Sequence, residues 1–570
     1  MHSILRRAAL AATFAGLTVP TFVAAEPSYG AYLAGRHAVY SSDFEAAARY
    51  YARALLADKN DPELMENVIQ AQVSMGRLDQ ALPIAKVMAD RDLRSQVASM
   101  VLTAGMINQG DFAAVLDRDL EATGVGPLVD GLLEAWGHMA VGDREAAMAR
   151  FDEVASQNGL RSFALYHKAL ALGMSGDYEA AEAIFAESRN GQMTRRGALA
   201  RAEILSQLGR NSDALEMMAT TFGAAFDPGL TAVADRLAAG ETLPFSHVTN
   251  AAEGMAEVFF SVGAALSGEA ADDYALLYAR VATYLSPGHI DAILLSADLL
   301  DKLGQYDLAV TTFKLVPPDS PDHHAAELGR AEALRRAAKP DAAIEVLERL
   351  ALDHPTLPLV HSSLGDLFRQ QENYAAAVGA YDSALEFTEE GAPSQWFLLY
   401  ARGISHERLD QWQNAEADFR KALELRPDQP QVLNYLGYSL VEKKVKLDEA
   451  LDMIQRAVEA RPDSGYIVDS LGWVLYRLGR YEEAVGHMEK AVELEPVDPI
   501  VNDHLGDVYW AVDRKREAEF QWKRALSFID PEDTDGEADP VRIRRKLEVG
   551  LDQVLAEEGS PPLTVANGDD

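Results

Sequence analysis

Apolar and polar positions follow one another along this chain with the period of amphipathic helices, and one short pattern returns about every 34 residues. Each return has a small residue, an alanine twelve positions later and a large apolar residue four positions after that. In one unit these are Gly472, Ala484 and Met488, and Pro496 closes the unit. Small residues let two helices approach closely, large ones fill the seam, and proline marks the turn to the next unit. The pattern predicts one pair of short antiparallel helices per unit.

The small residue of this pattern can be followed through fourteen units. In the second half of the chain the successive gaps are 34, 34, 38, 34, 35 and 34 residues, whereas upstream Ile69 and Leu102 replace the small residue. The chain is therefore predicted to be an all-α solenoid of about fourteen helix pairs, in which each pair buries only the faces that its neighbours cover. The fourteen positions are Gly35, Ile69, Leu102, Ala135, Ala169, Ala202, Gly263, Ala297, Ala331, Gly365, Gly403, Gly437, Gly472 and Gly506.

Residues 469–496, DSLGWVLYRLGRYEEAVGHMEKAVELEP, resemble a tetratricopeptide repeat. The resemblance extends over nearly the whole chain after residue 25. It implies a right-handed superhelix in which the first helix of each pair lines a concave groove, and a function in binding other proteins or peptides. The residues on the signature positions of the family are Leu471, Gly472, Leu475, Ala484, Ala491 and Pro496.

Residues 1–25 are predicted to be a cleaved signal peptide. Arg6 and Arg7 supply a positive start, residues 8–19 a short apolar stretch and residues 23–25 a small-residue cleavage pattern. After cleavage we expect no membrane-spanning segment, because the most apolar later run is interrupted by Glu257 and is shorter than the roughly 18 residues that a spanning helix needs.

The repeat pattern divides the remaining chain into two arrays, residues 26–221 and 251–529. Between them the pattern fails in residues 222–250, which hold glycines and prolines and form either a degenerate repeat or a hinge loop.

After the second array an acidic loop is predicted at residues 530–540 and a capping helix at residues 541–556, which covers the last apolar face of the solenoid. The tail, residues 557–570, is predicted to be disordered.

Charge and cysteine content narrow the choice of partners and compartment. The chain has 89 acidic and 52 basic residues and a net charge of −37, which disfavours nucleic acid as a partner. It has no cysteine, which excludes disulfides, thiolate metal sites and the acceptor of a bacterial lipoprotein anchor. Exported eukaryotic proteins of this size usually carry disulfides, so a bacterial periplasm is the predicted location.

The common catalytic and nucleotide-binding motifs, among them HExxH, GxSxG and the phosphate-binding loop, do not occur in the sequence. The adjacent His323 and His324 have no further ligand at metal spacing and are interpreted as part of a solvated loop. We predict no catalytic residue, no metal site and no cofactor, and hence no enzymatic activity.

The resemblance also implies which residues of the last three units face the groove. They form an aromatic and acidic surface, which would select a partner with a basic segment. The alternative interpretation is that Trp473 and Trp510 pack between neighbouring repeats and that the aspartates are solvated. The implied groove residues are Asn434, Tyr438, Asp469, Trp473, Tyr476, Asp503, Asp507 and Trp510.

The segments at 433–441, 469–477 and 502–510 are similar to those of large bacterial periplasmic tetratricopeptide-repeat proteins, among them adaptors that partner a carboxyl-terminal processing protease. This similarity implies a non-catalytic scaffold or adaptor of the cell envelope, involved in protease activation and substrate delivery. The alternative is a periplasmic scaffold of a polysaccharide or outer-membrane export machine. Self-association remains open.

Overall fold

A computed structural model describes residues 29–187, 193–223, 226–529 and 538–563. Within these ranges the chain forms helices and no β-strand, which confirms the predicted all-α class. The predicted signal peptide, most of the acidic loop and the end of the tail lie outside the described residues. The helices are α1 Tyr29–Tyr40, α2 Phe44–Ala57, α3 Pro62–Ser74, α4 Leu78–Ala89, α5 Gln96–Asn108, α6 Phe112–Leu116, α7 Leu120–Thr123, α8 Pro127–Ala140, α9 Arg144–Ser156, α10 Arg161–Met174, α11 Tyr178–Glu187, α12 Arg195–Gln207, α13 Asn211–Phe222, α14 Pro228–Ala238, α15 Ala251–Leu266, α16 Asp272–Leu285, α17 Ile290–Lys302, α18 Tyr306–Phe313, α19 His323–Arg336, α20 Pro340–Asp353, α21 Pro358–Gln370, α22 Tyr374–Glu386, α23 Gln395–Arg408, α24 Trp412–Leu425, α25 Pro430–Glu442, α26 Leu447–Ala460, α27 Gly465–Arg477, α28 Tyr481–Leu494, α29 Pro499–Ala511, α30 Lys515–Phe528, α31 Pro540–Val549 and α32 Leu551–Glu557.

In the described ranges the predicted fourteen helix pairs are present, running from α1–α2 to α29–α30. The additional helices α7 and α14 lie between pairs, and α31–α32 follow them. The seam inside each pair has the predicted composition. A Cβ added to Gly472 would lie 2.7 Å from Met488 of the partner helix, and one added to Gly403 would lie 2.7 Å from Phe419. The recurring glycine is therefore the space into which the large residue of the second helix packs.

The chain divides into two compact units, residues 1–346 and 347–570, and α20 contains the boundary. In the second unit consecutive helices pack on one another from α21 to α31. Its core holds the large residues of the repeat ladder, including Phe419, Met488 and Trp522, each buried against the recurring glycine of its own pair.

The first unit departs from a simple ladder, because the pair α15–α16 turns back onto earlier pairs. Helix α15 packs against α8 and α10, and α16 packs against α3 and α5. Helix α15 is apolar on most of its circumference and carries Gly254, whose missing side chain makes room for the buried ring of Trp136. A helix that is apolar all round must be covered on every side, and this return packing covers it.

Residues 222–250, interpreted from sequence as a degenerate repeat or hinge loop, contain α14 and then an extended stretch that is fastened to α12. The carboxylate of Glu203 accepts hydrogen bonds from Ser246 N and Oγ at 2.8 and 2.6 Å, and it lies 2.8 Å from His247 Nδ1. Phe245 packs against Gly173. Movement about this segment would break these contacts, and the hinge remains a prediction.

The segment expected to form one capping helix over residues 541–556 consists of two helices, α31 and α32, separated by Gly550. Gly550 has φ of +85°, a backbone conformation that favours glycine and interrupts the helix. The ring of Trp510 occupies the space beside it.

Candidate interaction surfaces

Two of the carboxylates predicted to line the groove form ion pairs with a lysine of the same chain. Asp503 and Asp507 lie on α29, and the ammonium group of Lys546 on α31 donates to Asp503 at 2.8 Å and to Asp507 at 2.6 Å. The Lys546 side chain is completely buried. Trp522 Nε1 also donates to Asp507, at 2.9 Å. A basic partner could reach these carboxylates only by displacing Lys546.

The third predicted carboxylate, Asp469, is 34 residues before Asp503 and makes the equivalent contact one pair earlier. It is buried and lies 3.0 Å from Nδ1 of His504 on the next first helix, α29. Burial opposes protonation of His504, but the Asp469 carboxylate outweighs it and raises the pKa of the imidazole. Asp469 on α27 thus contacts the next first helix, α29, and Asp503 on α29 contacts α31 in the same way. Helix α31 therefore lies where the first helix of a further repeat would lie.

The predicted aromatic groove residues pack between neighbouring helices. Trp473 stacks on His504 with 3.9 Å between ring centroids and on Tyr476 with 4.8 Å, and its Nε1 donates to Glu442 at 3.0 Å. Trp510 Nε1 donates to Asp552 of α32 at 2.9 Å. These contacts agree with the part of the alternative interpretation that has the tryptophans packing between repeats. Its other part is wrong, because the three aspartates are buried and paired and not solvated. A direct role in partner binding remains a prediction.

The remaining two predicted residues, Asn434 and Tyr438, lie one turn apart on α25 and are both partly exposed. The Oδ1 atom of Asn434 is buried and has no hydrogen-bond partner among the described residues. A buried acceptor without a donor costs about 1–3 kcal/mol of free energy. Among the eight predicted residues, Asn434 is the one with a buried polar side-chain atom that has no hydrogen-bond partner among the described residues.

In the first unit the first helices of several pairs are covered by the return pair α15–α16. Tyr274 donates from its hydroxyl to Gln96 Oε1 at 3.0 Å, linking α16 to α5. Tyr284 donates to Asp79 at 2.8 Å. Helices α15 and α16 thus cover part of the surface of the first helices α3, α5, α8 and α10.

A buried polar network in the first unit was not predicted from the sequence. Glu257 on α15 accepts hydrogen bonds from the Tyr166 hydroxyl at 2.8 Å and from Arg196 Nε at 2.7 Å, and it lies 3.0 Å from His289 Nε2. Burial by itself would raise the pKa of Glu257, but Arg196 and His289 hold it well below its usual value. The one available signal was a single carboxylate, Glu257, inside the otherwise uncharged run of residues 255–266.

This network forms the polar end of a pocket of about 510 Å³. Much of the remaining lining is apolar, with Phe163, Ile184, Met193 and Phe260 among its residues. The volume lies in the range typical of small-ligand sites, roughly 300–1,000 Å³. The Arg196 guanidinium at its edge is already shared between Glu257 and Asp291, at 2.7 and 2.8 Å.

Repeated antiparallel helix pairs with a glycine-to-large-residue seam define an α-helical repeat protein built for contacts between proteins. The family model described as tetratricopeptide repeat matches residues 32–92, 294–358, 328–394 and 400–465, and a second model of the same description matches residues 468–496. The chain contains tetratricopeptide repeats.

Among curated proteins, a TPR repeat-containing protein of Pseudomonas aeruginosa is 27% identical over 162 residues, which are 28% of this chain and 26% of the relative. The chain thus matches about a quarter of the length of that relative. Among solved structures, the Cut9–Hcn1 hetero-tetramer of the APC/C is 13% identical, with coverage of 92% of this chain and 96% of that chain and a TM-score of 0.38. Yeast Tom70 is 14% identical, with coverage of 94% and 99% and a TM-score of 0.35.

Within the described ranges, the helices are all too short or too polar to cross a membrane.

Proposed function

We propose that this protein is a non-catalytic scaffold or adaptor that binds a partner protein or peptide on the first helices of its second unit. The observation that carries the proposal is the buried Oδ1 of Asn434, which has no donor among the described residues. Extended peptides offer backbone N–H groups along their length, and such a group would satisfy this acceptor when the partly exposed Asn434 side chain turns towards the surface.

The first helices α25 and α27 carry groups that suit a peptide with positive charge. Trp473 and Tyr438 supply partly exposed aromatic surface on α27 and α25, and Glu442 is an exposed carboxylate at the end of α25. The net charge of −37 draws basic segments towards the chain and repels acidic ones. We therefore expect binding to weaken as salt is added, because exposed charges are screened.

We further propose that the protein acts in the periplasm of a bacterial cell envelope and that its particular role is protease activation and substrate delivery. This rests on the signal-peptide pattern of residues 1–25, the absence of cysteine and the similarity of residues 433–441, 469–477 and 502–510 to periplasmic adaptor repeats. A scaffold of a polysaccharide or outer-membrane export machine is the alternative role.

The test uses the chain from residue 26 onward to capture partners from a bacterial envelope extract. Enrichment of a carboxyl-terminal processing protease, followed by faster cleavage of its substrate when the purified chain is added, supports the adaptor role. Enrichment of synthase or porin components supports the export role. Turnover of a substrate by the chain alone would contradict the proposal.

The same capture with Asn434→Ala tests the site itself. Removing one acceptor should weaken the identified partner about tenfold, which corresponds to about 1.4 kcal/mol. The control is Asn414→Ala, an exposed asparagine on the second helix α24. Equal binding by wild type and both variants would show that the partner docks elsewhere on the chain.

A further inference from the structure

Arg280 is a buried arginine in the middle of α16, where the return pair packs on the end of α3. Only 5% of the residue is exposed. Its Nε donates to the carbonyl oxygen of Ser74 at 3.0 Å, while its Nη2 is buried and has no hydrogen-bond partner in the described part of the chain.

This guanidinium lacks the carboxylate that the other buried cations of the chain possess. Arg118 pairs with Asp130 at 3.1 Å, Arg196 with Glu257 at 2.7 Å and Lys546 with Asp507 at 2.6 Å. Arg280 forms no ion pair with any described residue, and burial alone lowers its pKa to about 10. A buried charge without a counter-charge is costly, so its presence calls for a ligand of opposite sign.

A cavity of about 230 Å³ lies beside Arg280, between the end of α3, α16 and α18. No carboxylate lines it. The hydroxyls of Thr283, Thr311 and Thr312 donate to carbonyl oxygens of their own helices at 2.8–2.9 Å, and Tyr284 donates to Asp79. The side-chain donor that remains uncommitted in the lining is the Arg280 guanidinium.

We propose that this cavity binds a small oxyanion, a carboxylate or a phosphate group, through the guanidinium of Arg280. A guanidinium presents N–H groups in a planar fork that matches the oxygens of carboxylate and phosphate. The cavity is smaller than typical sites for drug-sized ligands, so it suits a free anion or the terminal group of a longer molecule. The bound anion supplies the missing counter-charge.

Anion binding here links three parts of the first unit. Gly76 follows α3, Arg280 belongs to α16, and Leu308 and Thr311 belong to α18, and all of them line the same cavity. An oxyanion bound to the folded chain stabilises it, because the unfolded chain offers no such site. The effect on unfolding is therefore a direct readout of binding.

The test measures thermal unfolding and calorimetric titration of the full chain with inorganic phosphate and with acetate, at constant ionic strength with chloride as the reference anion. We expect a saturable rise in Tm with one of the two anions and a stoichiometry of one. A response to acetate, and to a short peptide with a free carboxyl terminus but not to its amide, identifies a carboxylate. A response to phosphate alone identifies a phosphate group.

Two variants separate this role from a purely structural one. Arg280→Met should remove the anion response and, without anion, unfold at a Tm no lower than wild type, because an unpaired buried charge is replaced by an apolar side chain. Thr311→Trp changes an exposed residue of the lining and should block the cavity. We expect it to weaken anion binding at least tenfold and to leave the Tm without anion unchanged. The exposed Arg53→Met is the control and should respond like wild type.

A wild-type chain without a saturable response to either anion would overturn the proposal. So would an equal response in wild type and both variants. If Arg280→Met lowers the Tm and the wild type responds to neither anion, the role of Arg280 is instead to cap the carbonyl end of α3.

Discussion

The indole ring of Trp136 lies where the side chain of residue 254 would be. A Cβ built on Gly254 would overlap the Cδ2, Cε3 and Cε2 atoms of that ring. Trp136 belongs to α8 and Gly254 to α15, so this contact joins the return pair to an earlier pair.

Gly254→Ala is therefore expected to destabilise the first unit by about 1–3 kcal/mol, the usual cost of forcing extra atoms into a packed core. The measurement is urea unfolding followed by tryptophan fluorescence. The control is Gly379→Ala on α22, where nothing lies within 4 Å of the added Cβ. It should stabilise the chain by about 0.5–1 kcal/mol, and a stabilising Gly254→Ala would show that α15 and α8 separate easily.

Lys546→Met should destabilise the end of the second unit by about 3–5 kcal/mol. It leaves Asp503 buried without an ion-pair partner among the described residues, and it leaves Asp507 with Arg542 Nη1, at 3.7 Å, as its remaining counter-charge. Hydrogen exchange of residues 540–557 should increase, since the ion triad holds α31 on α29. Arg544→Met is the matched control, as Arg544 is exposed on the same helix. Unchanged exchange in the Lys546 variant would mean that apolar contacts alone hold α31.

His167 should make the first unit lose stability as the pH falls. Trp136 Nε1 donates to His167 Nδ1 at 3.2 Å, and His167 Nε2 lies 3.0 Å from Ser261 Oγ, so the ring is held neutral. Burial lowers its pKa to about 4. Between about pH 6.5 and 4 the unfolded chain binds a proton at this histidine and the folded chain does not. The free energy of unfolding therefore falls by up to about 3 kcal/mol over this range.

The check is the free energy of unfolding at pH 7 and pH 4.5 for wild type and His167→Gln. The difference between the two proteins should shift in favour of the variant at the lower pH. A constant difference would show that the imidazole becomes protonated inside the fold.

His504 should have the opposite effect, because Asp469 raises its pKa. The stabilisation is fully present below the ordinary histidine value of about 6.5 and is lost as the pH rises through the higher folded value. Comparing wild type with His504→Gln between pH 6 and pH 9 should show the advantage of the wild type decreasing. An advantage that grows with pH would contradict the pairing with Asp469.

Ala338→Gly should stabilise the first unit by about 1 kcal/mol, the approximate cost of a left-handed conformation for a residue with a side chain. Ala338 has φ of +55°, and Gly304 has φ of +74° at the same point of the preceding repeat. Thermal unfolding measures the gain. The control is Ala232→Gly at an exposed position of helix α14, which should destabilise the chain. Equal effects of the two substitutions would show that the strain at residue 338 is negligible.

The helix pairs were predictable from the sequence because their seams are local. Gly472 and Met488 are 16 residues apart, and the recurring spacing of a small and a large residue describes the contact between two helices joined by a short turn. The periodicity of the sequence therefore predicts both the number of helix pairs and the all-α class.

The contacts between distant repeats were decided by the tertiary structure alone. Arg280 bonds to Ser74 across 206 residues, and Lys546 reaches Asp503 across 43. Periodicity shows that a helix face is apolar, but it does not show which other face covers it, because α15 has the same pattern whether an adjacent repeat or a distant one packs on it. The sequence by itself thus determined the repeating unit, whereas long-range packing decided which groove positions are filled by the chain's own side chains and where a buried polar group is left for a ligand.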